Sequence, residues 1–454
     1  MGGKTSSDGV DREKDCTELL QTLIRNACVN DGTIHSGNES RSADTLADFL
    51  EGPGLDLERF EGAPGRASLV ARIEGTDPDA PTLLLMGHTD VVPVNETHWS
   101  NDPFGGELID GEVWGRGAVD MLNLTSSMAV ATRNLARSGF RPRGTLIYLA
   151  VADEEASGTV GAKHLVTHEA EHVVADYVIT ESGGIPLPSP TGIKLPVLVG
   201  EKGLHGLRLR IGGTAGHASQ PYRTDNALVT AAEIVRRIAD FEPRTHIHDI
   251  WRRFISSMGY PDEITGPLLS EDGLDDVLGM LPIGMARQFH ACTHNTYAPT
   301  MLRAGSKINV IPDAVELDID IRTLPGQMTA DVLAELRLAL GDLADAVTFE
   351  TLDDDPSSQS PIETPLWDTL ARVTKRWYPE SETVPFLTVG ATDARFFRRR
   401  DSVAYGFGLF SENITFEGFG SMFHGDDERI DTESLGLSVE LFEVVAEDLL
   451  TVRD

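Results

Sequence analysis

His88 and Asp90 stand in MGHTDVVP, where the apolar run LLLMG ends, and an imidazole at a strand end facing a cleft can ligate a metal. An acid two residues on lies on the same side of an extended chain, where it can hold the ring in one tautomer and raise its basicity. The same pair also fits a core histidine bonded to a neighbouring acid. Asp120, in WGRGAVDMLN, lies between a glycine-rich turn and a long helical stretch, which suits a helix N-cap or a ligand flanked by Gly115 and Gly117. VADEEASG sets Asp153, Glu154 and Glu155 side by side after LIYLAV. Adjacent like charges at the end of a buried strand are costly unless a cation or proton resolves them; the alternative is a solvated acidic turn. One such acid can bind metal while its neighbour handles a proton. Glu181 follows the apolar YVIT and precedes Gly183 and Gly184, and His424 sits in the loop GFGSMFHGDDERI.

Each residue has an ordinary structural explanation, so their common placement carries the argument. The runs ASLVARIEG, PTLLLMGH, GTLIYLAVADEE and VADYVITES are too short for helices and read as strands. Helical periodicity separates them, with apolar residues at three- and four-residue steps from Asp11 to about Cys28, a helix after Ser42 that stops near Gly52, and a long helix after Asp120. Strands alternating with helices predict an α/β fold, a mixed, mainly parallel sheet flanked by helices. The potential ligands then fall at the C-terminal ends of successive strands, where open α/β sheets build their sites. Histidines and carboxylates without thiolates suit zinc, cobalt or manganese, and a shared acid can bridge two ions roughly 3.5–4 Å apart.

Near Glu201 the pattern changes to half-exposed alternation in GLHGLRLRI and AVELDIDIRT, with helices over Asn226–Phe241 and Ala330–Leu340. This predicts an α+β sandwich inserted at 202–352 into a larger domain made of 1–201 and 353–454. The segment at about 243–290 does not fit the basic pattern and is an insert of unknown role. A helix over Leu366–Trp377 and a strand VPFLTVG restore the α/β character.

With 454 residues the chain exceeds the size at which one hydrophobic core stops growing, and its net charge of −34 repels phosphate backbones and anionic lipid. Nucleic-acid and membrane-surface binding are therefore excluded as expectations. No run approaches the roughly 18 apolar residues of a membrane span, and MGGKTSSDGVDREKD lacks a signal-like apolar stretch, so a cytoplasmic protein is expected. Cys16, Cys28 and Cys292 are too scattered for a disulfide framework or a CxxC site.

GHTDVVP, GRGAVDM, DEE, the glycine-flanked Glu181, GHAS, NVIP and the late His424, in this order, resemble the M20 family of metallopeptidases, which includes glutamate carboxypeptidase, aminoacylase, acetylornithine deacetylase and succinyl-diaminopimelate desuccinylase. The resemblance implies a zinc-exopeptidase fold whose inserted domain acts as lid and dimerisation element. It implies one metal on His88 and Glu181, a second on Glu155 and His424, and Asp120 bridging. Asp90 would orient His88, Glu154 would activate water as general base, and Asp120–Met121 would be a cis peptide. His217 in GTAGHASQP would serve a partner subunit's oxyanion, although a loop histidine is the plainer alternative. Asn309 and Arg322 would contact substrate, as would the loop with Gly390 and Thr392; a salt bridge is the alternative for Arg322. Where many relatives read DMKG, this chain has Asp120, Met121, Leu122 and Asn123. Glutamate at 181 leans towards carboxypeptidases and aminoacylases acting on a small peptide or N-acyl amino acid that bears a free carboxylate. A biosynthetic desuccinylase or deacetylase is the nearest alternative, an inactive peptide- or metabolite-binding relative a more distant one.

Overall fold

The computed structural model describes residues 11–451. The opening stretch MGGKTSSDGV, which entered the reading of an absent signal segment, lies outside them.

The large sheet runs in the order Asp56–Ala63, Arg66–Ile73, Leu146–Val151, Leu83–His88, Tyr177–Thr180, Val403–Gly406, Gly192–Glu201, Ser358–Gln359, with Glu382–Thr388 and Leu187–Ser189 also paired to Gly192–Glu201. It is mixed. The middle strands, Leu146–Val151, Leu83–His88, Tyr177–Thr180 and Val403–Gly406, are parallel to one another, and the flanking pairs at both margins are largely antiparallel.

Those middle strands are apolar without interruption because both faces are covered. Leu83, Leu85, Leu146 and Tyr148 pack towards the helices Arg12–Asn26, Leu122–Ser138 and Thr432–Leu450, while Leu84, Met86, Ile147 and Leu149 face Leu165, Val166, Phe396 and Phe397. The first helix begins where the Asp11 side chain accepts the Lys14 N–H, and the long last helix where Asp431 accepts that of Ser434. The second helix spans Ser40–Leu50, three residues earlier than a start just after Ser42, and Ser42 is buried against Cys28.

A separate antiparallel sheet, Thr296–Ala304, Ala314–Thr323, Gly203–Gly212, Val347–Asp355, follows the predicted alternation. Leu207, Leu209, Leu317 and Ile319 point at the helices Ala227–Ala239 and Thr329–Leu340 and make a core of their own. The opposite face carries charge, including the forked pair of Arg208 with Asp318 at 2.6 and 2.9 Å.

The segment that resisted placement folds as the helices Asp249–Ser257, Asp262–Leu268, Leu274–Leu278 and Ile283–Thr293. Its Trp251, Phe254 and Phe289 join the main core rather than that of the antiparallel sheet, and Phe254 meets Phe386 with ring centroids 4.8 Å apart.

Candidate metal centre

Three strand ends, the turn before a helix and one late loop supply the site. The strand Leu83–His88 delivers His88, buried to 1% exposure, and its Nε2 lies 3.1 Å from Asp120 Oδ1. Asp120 is not a helix N-cap: the helix starts at Leu122 after a cis peptide between Asp120 and Met121, and the Asp120 carboxylate lies between two imidazoles. His424 Nε2 stands 3.3 Å from Asp120 Oδ2 and 3.2 Å from Glu155 Oε2. Ligand-type atoms of His88, Asp120 and Glu155 lie within 4.8 Å of one another, and so do those of His88, Glu154 and Glu181. The acidic run is no solvated turn, since Asp153 is buried and the Glu155 side chain is only 5% exposed.

The donor set fits divalent cations. Burial, then the charge of Glu181, pushes the Glu154 carboxyl well above the usual range, and burial lifts Glu181 to about 8. Hydrogen bonds to Asp120 and Glu155 raise His424 to about 10. For Asp120 burial pulls upward, but the bonds to His424 and His88 outweigh it and hold the group below the usual carboxylate range. Glu155 Oε1 is buried with no hydrogen-bond partner. A crowd of buried acids with two imidazoles and an orphaned oxygen is what a pair of dications would resolve.

Asp90 plays a different part from the one expected. The His88 ring Nδ1 is 2.9 Å from the Asp90 backbone carbonyl and 3.8 Å from its carboxylate. That carboxylate instead accepts the backbone N–H of Glu154 at 3.2 Å and of Glu155 at 3.1 Å. The loop after Glu181 needs its glycines: Gly184 has φ +74°, and a Cβ there would come within 1.8 Å of the Gly408 carbonyl oxygen.

Glu154, Glu155, Glu181, Asp120 and His424 line a cavity of about 1110 Å³ that Arg322, Gly390 and Thr392 also border. Arg322 is pocket-lining and salt-bridged at once, forked to Asp320 at 2.7 and 3.0 Å. The Thr392 hydroxyl donates to Glu201 at 2.9 Å. His217 and Asn309 are not brought to the cavity. Both are exposed, His217 in the two-stranded ribbon Gly216–His217 with Val310–Ile311 and Asn309 in the turn just before it, where its carbonyl accepts the Ala218 N–H.

Two buried acids were missed in the sequence, Glu428 and Asp393. Glu428, fully buried, accepts from Arg116 Nη1 at 2.9 Å and from the N–H groups of Gly117, Val119 and Asp120 at 3.0, 2.7 and 3.0 Å. It thereby ties the loop of His424 to the loop of Asp120. Asp393 is buried with both carboxylate oxygens lacking a hydrogen-bond partner, and burial pushes it up to about 7. Neither had a signal beyond being one acid among many; Glu428 follows two aspartates, and Asp393 sits in VGATDAR beside the residues that were singled out.

The chain is similar to several known proteins. The human N-fatty-acyl-amino acid synthase/hydrolase PM20D1 is 28% identical over 387 residues, covering 82% of this chain and 75% of that protein. A probable carboxypeptidase S-like 2 of Dictyostelium discoideum is 25% identical over 390 residues, covering 83% and 73%. Among solved structures, the M20 family metallo-carboxypeptidase Sso-CP2 from Sulfolobus solfataricus superposes with a TM-score of 0.70 at 18% identity, over 97% of this chain and 99% of that one. Residues 84–448 match the sequence profile of peptidase family M20/M25/M40, and the chain belongs to that family.

Proposed function

We propose that this chain hydrolyses the amide bond of an N-acyl amino acid or of a peptide's C-terminal residue, with a free carboxylate on the substrate. The observation that carries the reading is the convergence of His88, Asp120, Glu155, Glu181, His424 and Glu154 on one site, at the wall of one cavity, from distant parts of the sequence. His88 and Glu181 would hold one ion, Glu155 and His424 the other, and Asp120 would serve both; zinc suits the donors, with cobalt or manganese as substitutes. Bound there, two dications would polarise the amide carbonyl and make water a better nucleophile.

The chain's own residues do the rest. Glu154, held by Asp90 through its backbone, takes the proton of the attacking water and returns it to the leaving nitrogen. Arg322 and Asn309 are assigned to the substrate carboxylate, and Gly390 and Thr392 to the pocket wall. Ile185, Leu198, Phe386, Phe416, Phe419 and Phe423 give the cavity an apolar side beside its charged groups, which favours a bulky acyl group. Each buried methylene contributes about 0.8 kcal/mol, so kcat/KM should rise about fourfold per carbon while the chain fills the cavity. A panel of N-acyl amino acids of increasing acyl length, dipeptides and N-succinyl substrates tests this. Preference for acetyl or succinyl over long acyl groups would instead favour a biosynthetic deacylase.

The same reading includes a homodimer. Leu228, Val229, Met301, Leu302, Ile308 and Val310 are exposed on the antiparallel-sheet unit, which we take as the inserted domain 202–352 between 1–201 and 353–454. His217 pairs with Val310 on that surface and would serve the partner's oxyanion. A solution mass of one chain would remove this part. Among the described residues no helix is long and apolar enough to cross a membrane, and a cytoplasmic location is part of the proposal.

A further inference from the structure

Behind the acid pair lies a buried charge cluster that the reaction as described does not use. Asn30, Glu39, Arg66, Asp90 and Asp153 are all buried. The Arg66 guanidinium grips both oxygens of Glu39, Nε to Oε2 and Nη2 to Oε1, each at 2.6 Å, and Nη2 also reaches Asp153 Oδ1 at 2.8 Å. Glu39 Oε1 accepts the Asp153 N–H at 3.2 Å, and Asp153 Oδ2 accepts that of Val160 at 2.9 Å. Asn30 Nδ2 donates to Asp90 Oδ2 at 2.8 Å and to Asp153 Oδ1 at 3.3 Å. The amide is itself oriented, because its oxygen accepts from Gly32 N at 3.1 Å and Ser36 Oγ at 3.2 Å.

Two paths through this cluster, by Asp90 and by Asp153, lead to the catalytic turn. Asp90 receives the N–H groups of Glu154 and Glu155. Asp153 has φ +72°, a left-handed conformation uncommon for a residue with a side chain, and it swings the chain from the strand Leu146–Val151 into that turn. Arg66 holds Asp153 in place from the neighbouring strand Arg66–Ile73, and one guanidinium bonds two carboxylates, those of Glu39 and Asp153. A forked guanidinium, unlike an ammonium, bonds two carboxylates at once in fixed directions.

We propose that Arg66, seated by Glu39, is a positioning residue for the acid pair: through Asp153 and, by way of Asn30, through Asp90, it sets where Glu154 and Glu155 point. The proposal rests on the reading of Glu154 as base and Glu155 as ligand.

The test uses the full chain with Arg66→Gln and Arg66→Lys. It measures kcat and KM on an N-acyl amino acid at saturating Zn²⁺, Zn²⁺ affinity by chelator competition without substrate, and the folded fraction. Arg66→Gln should lower kcat and Zn²⁺ affinity by about 10–100-fold per folded molecule, as for other partners that orient ligands, while KM stays within about twofold. Arg66→Lys, keeping the charge without the fork, should fall between. A lowered melting temperature with kcat and Zn²⁺ affinity per folded molecule unchanged overturns the proposal. Should Arg66→Gln fail to fold, Asn30→Ala, which cuts the link to Asp90, should still lose about tenfold in both, and unchanged values overturn the proposal equally. Wild-type protein that binds Zn²⁺ but cleaves no amide would sink the functional reading, and the Zn²⁺ titrations would still decide this one.

Discussion

His424 and Glu181 carry protons near neutral pH when no cation is present, since hydrogen bonds to Asp120 and Glu155 lift the first to about 10 and burial lifts the second to about 8. Ligation requires the neutral imidazole and the carboxylate, so metal uptake must release protons. The sign follows directly: each raised pKa makes the bound state harder to reach as pH falls. Zn²⁺ affinity should therefore rise with pH between 6 and 8, by about tenfold per unit for each proton displaced. Competition titrations at pH 6, 7 and 8 check it, and a pH-independent affinity would contradict this protonation pattern. Glu428 and Arg66 show what residue types cannot reveal. Their partners lie 308 and 87 residues away, at Asp120 and Asp153, so no local spacing marks them out.

At the scale of elements, the strand ends were legible because a strand buried on both faces must read as an unbroken apolar run, and those runs stop at His88, at Asp153 just before Glu154 and Glu155, and at Glu181. The helices of 243–290 were not. An apolar face at helical spacing announces burial without saying against what, and Trp251, Phe254 and Phe289 turn out to serve the main core. Trp251 is buried to 1% exposure, and its indole N–H donates to the Leu268 carbonyl at 2.8 Å. Trp251→Ala should cost about 3–5 kcal/mol of stability in denaturant unfolding. It should also weaken substrate binding, because Phe254 backs Phe386 in the cavity wall. A loss below about 1 kcal/mol would mean that the insert is a loosely attached appendage. His217 and Asn309 mark the limit of family motifs: the pattern was recognisable, yet within one chain the fold leaves both exposed.

Over the whole molecule, 72 acidic residues outnumber 38 basic ones, and ion pairs cannot neutralise such an excess. Self-repulsion destabilises the compact state, and raising salt from about 0.1 to 1 M shortens the screening length from about 10 to 3 Å. The melting temperature should therefore rise with KCl over that range; a fall would mean that screened surface ion pairs outweigh the repulsion.

The whole fold brings together residues from His88 to His424, and the claim that they form a two-metal hydrolase is tested most directly by metal content and turnover measured together on wild type and Glu154→Gln. Both proteins should hold two divalent ions per chain, and the variant should lose about 10²–10⁴-fold in kcat for an N-acyl amino acid. Retained turnover in Glu154→Gln, or wild-type protein that binds no divalent ion, would contradict the account.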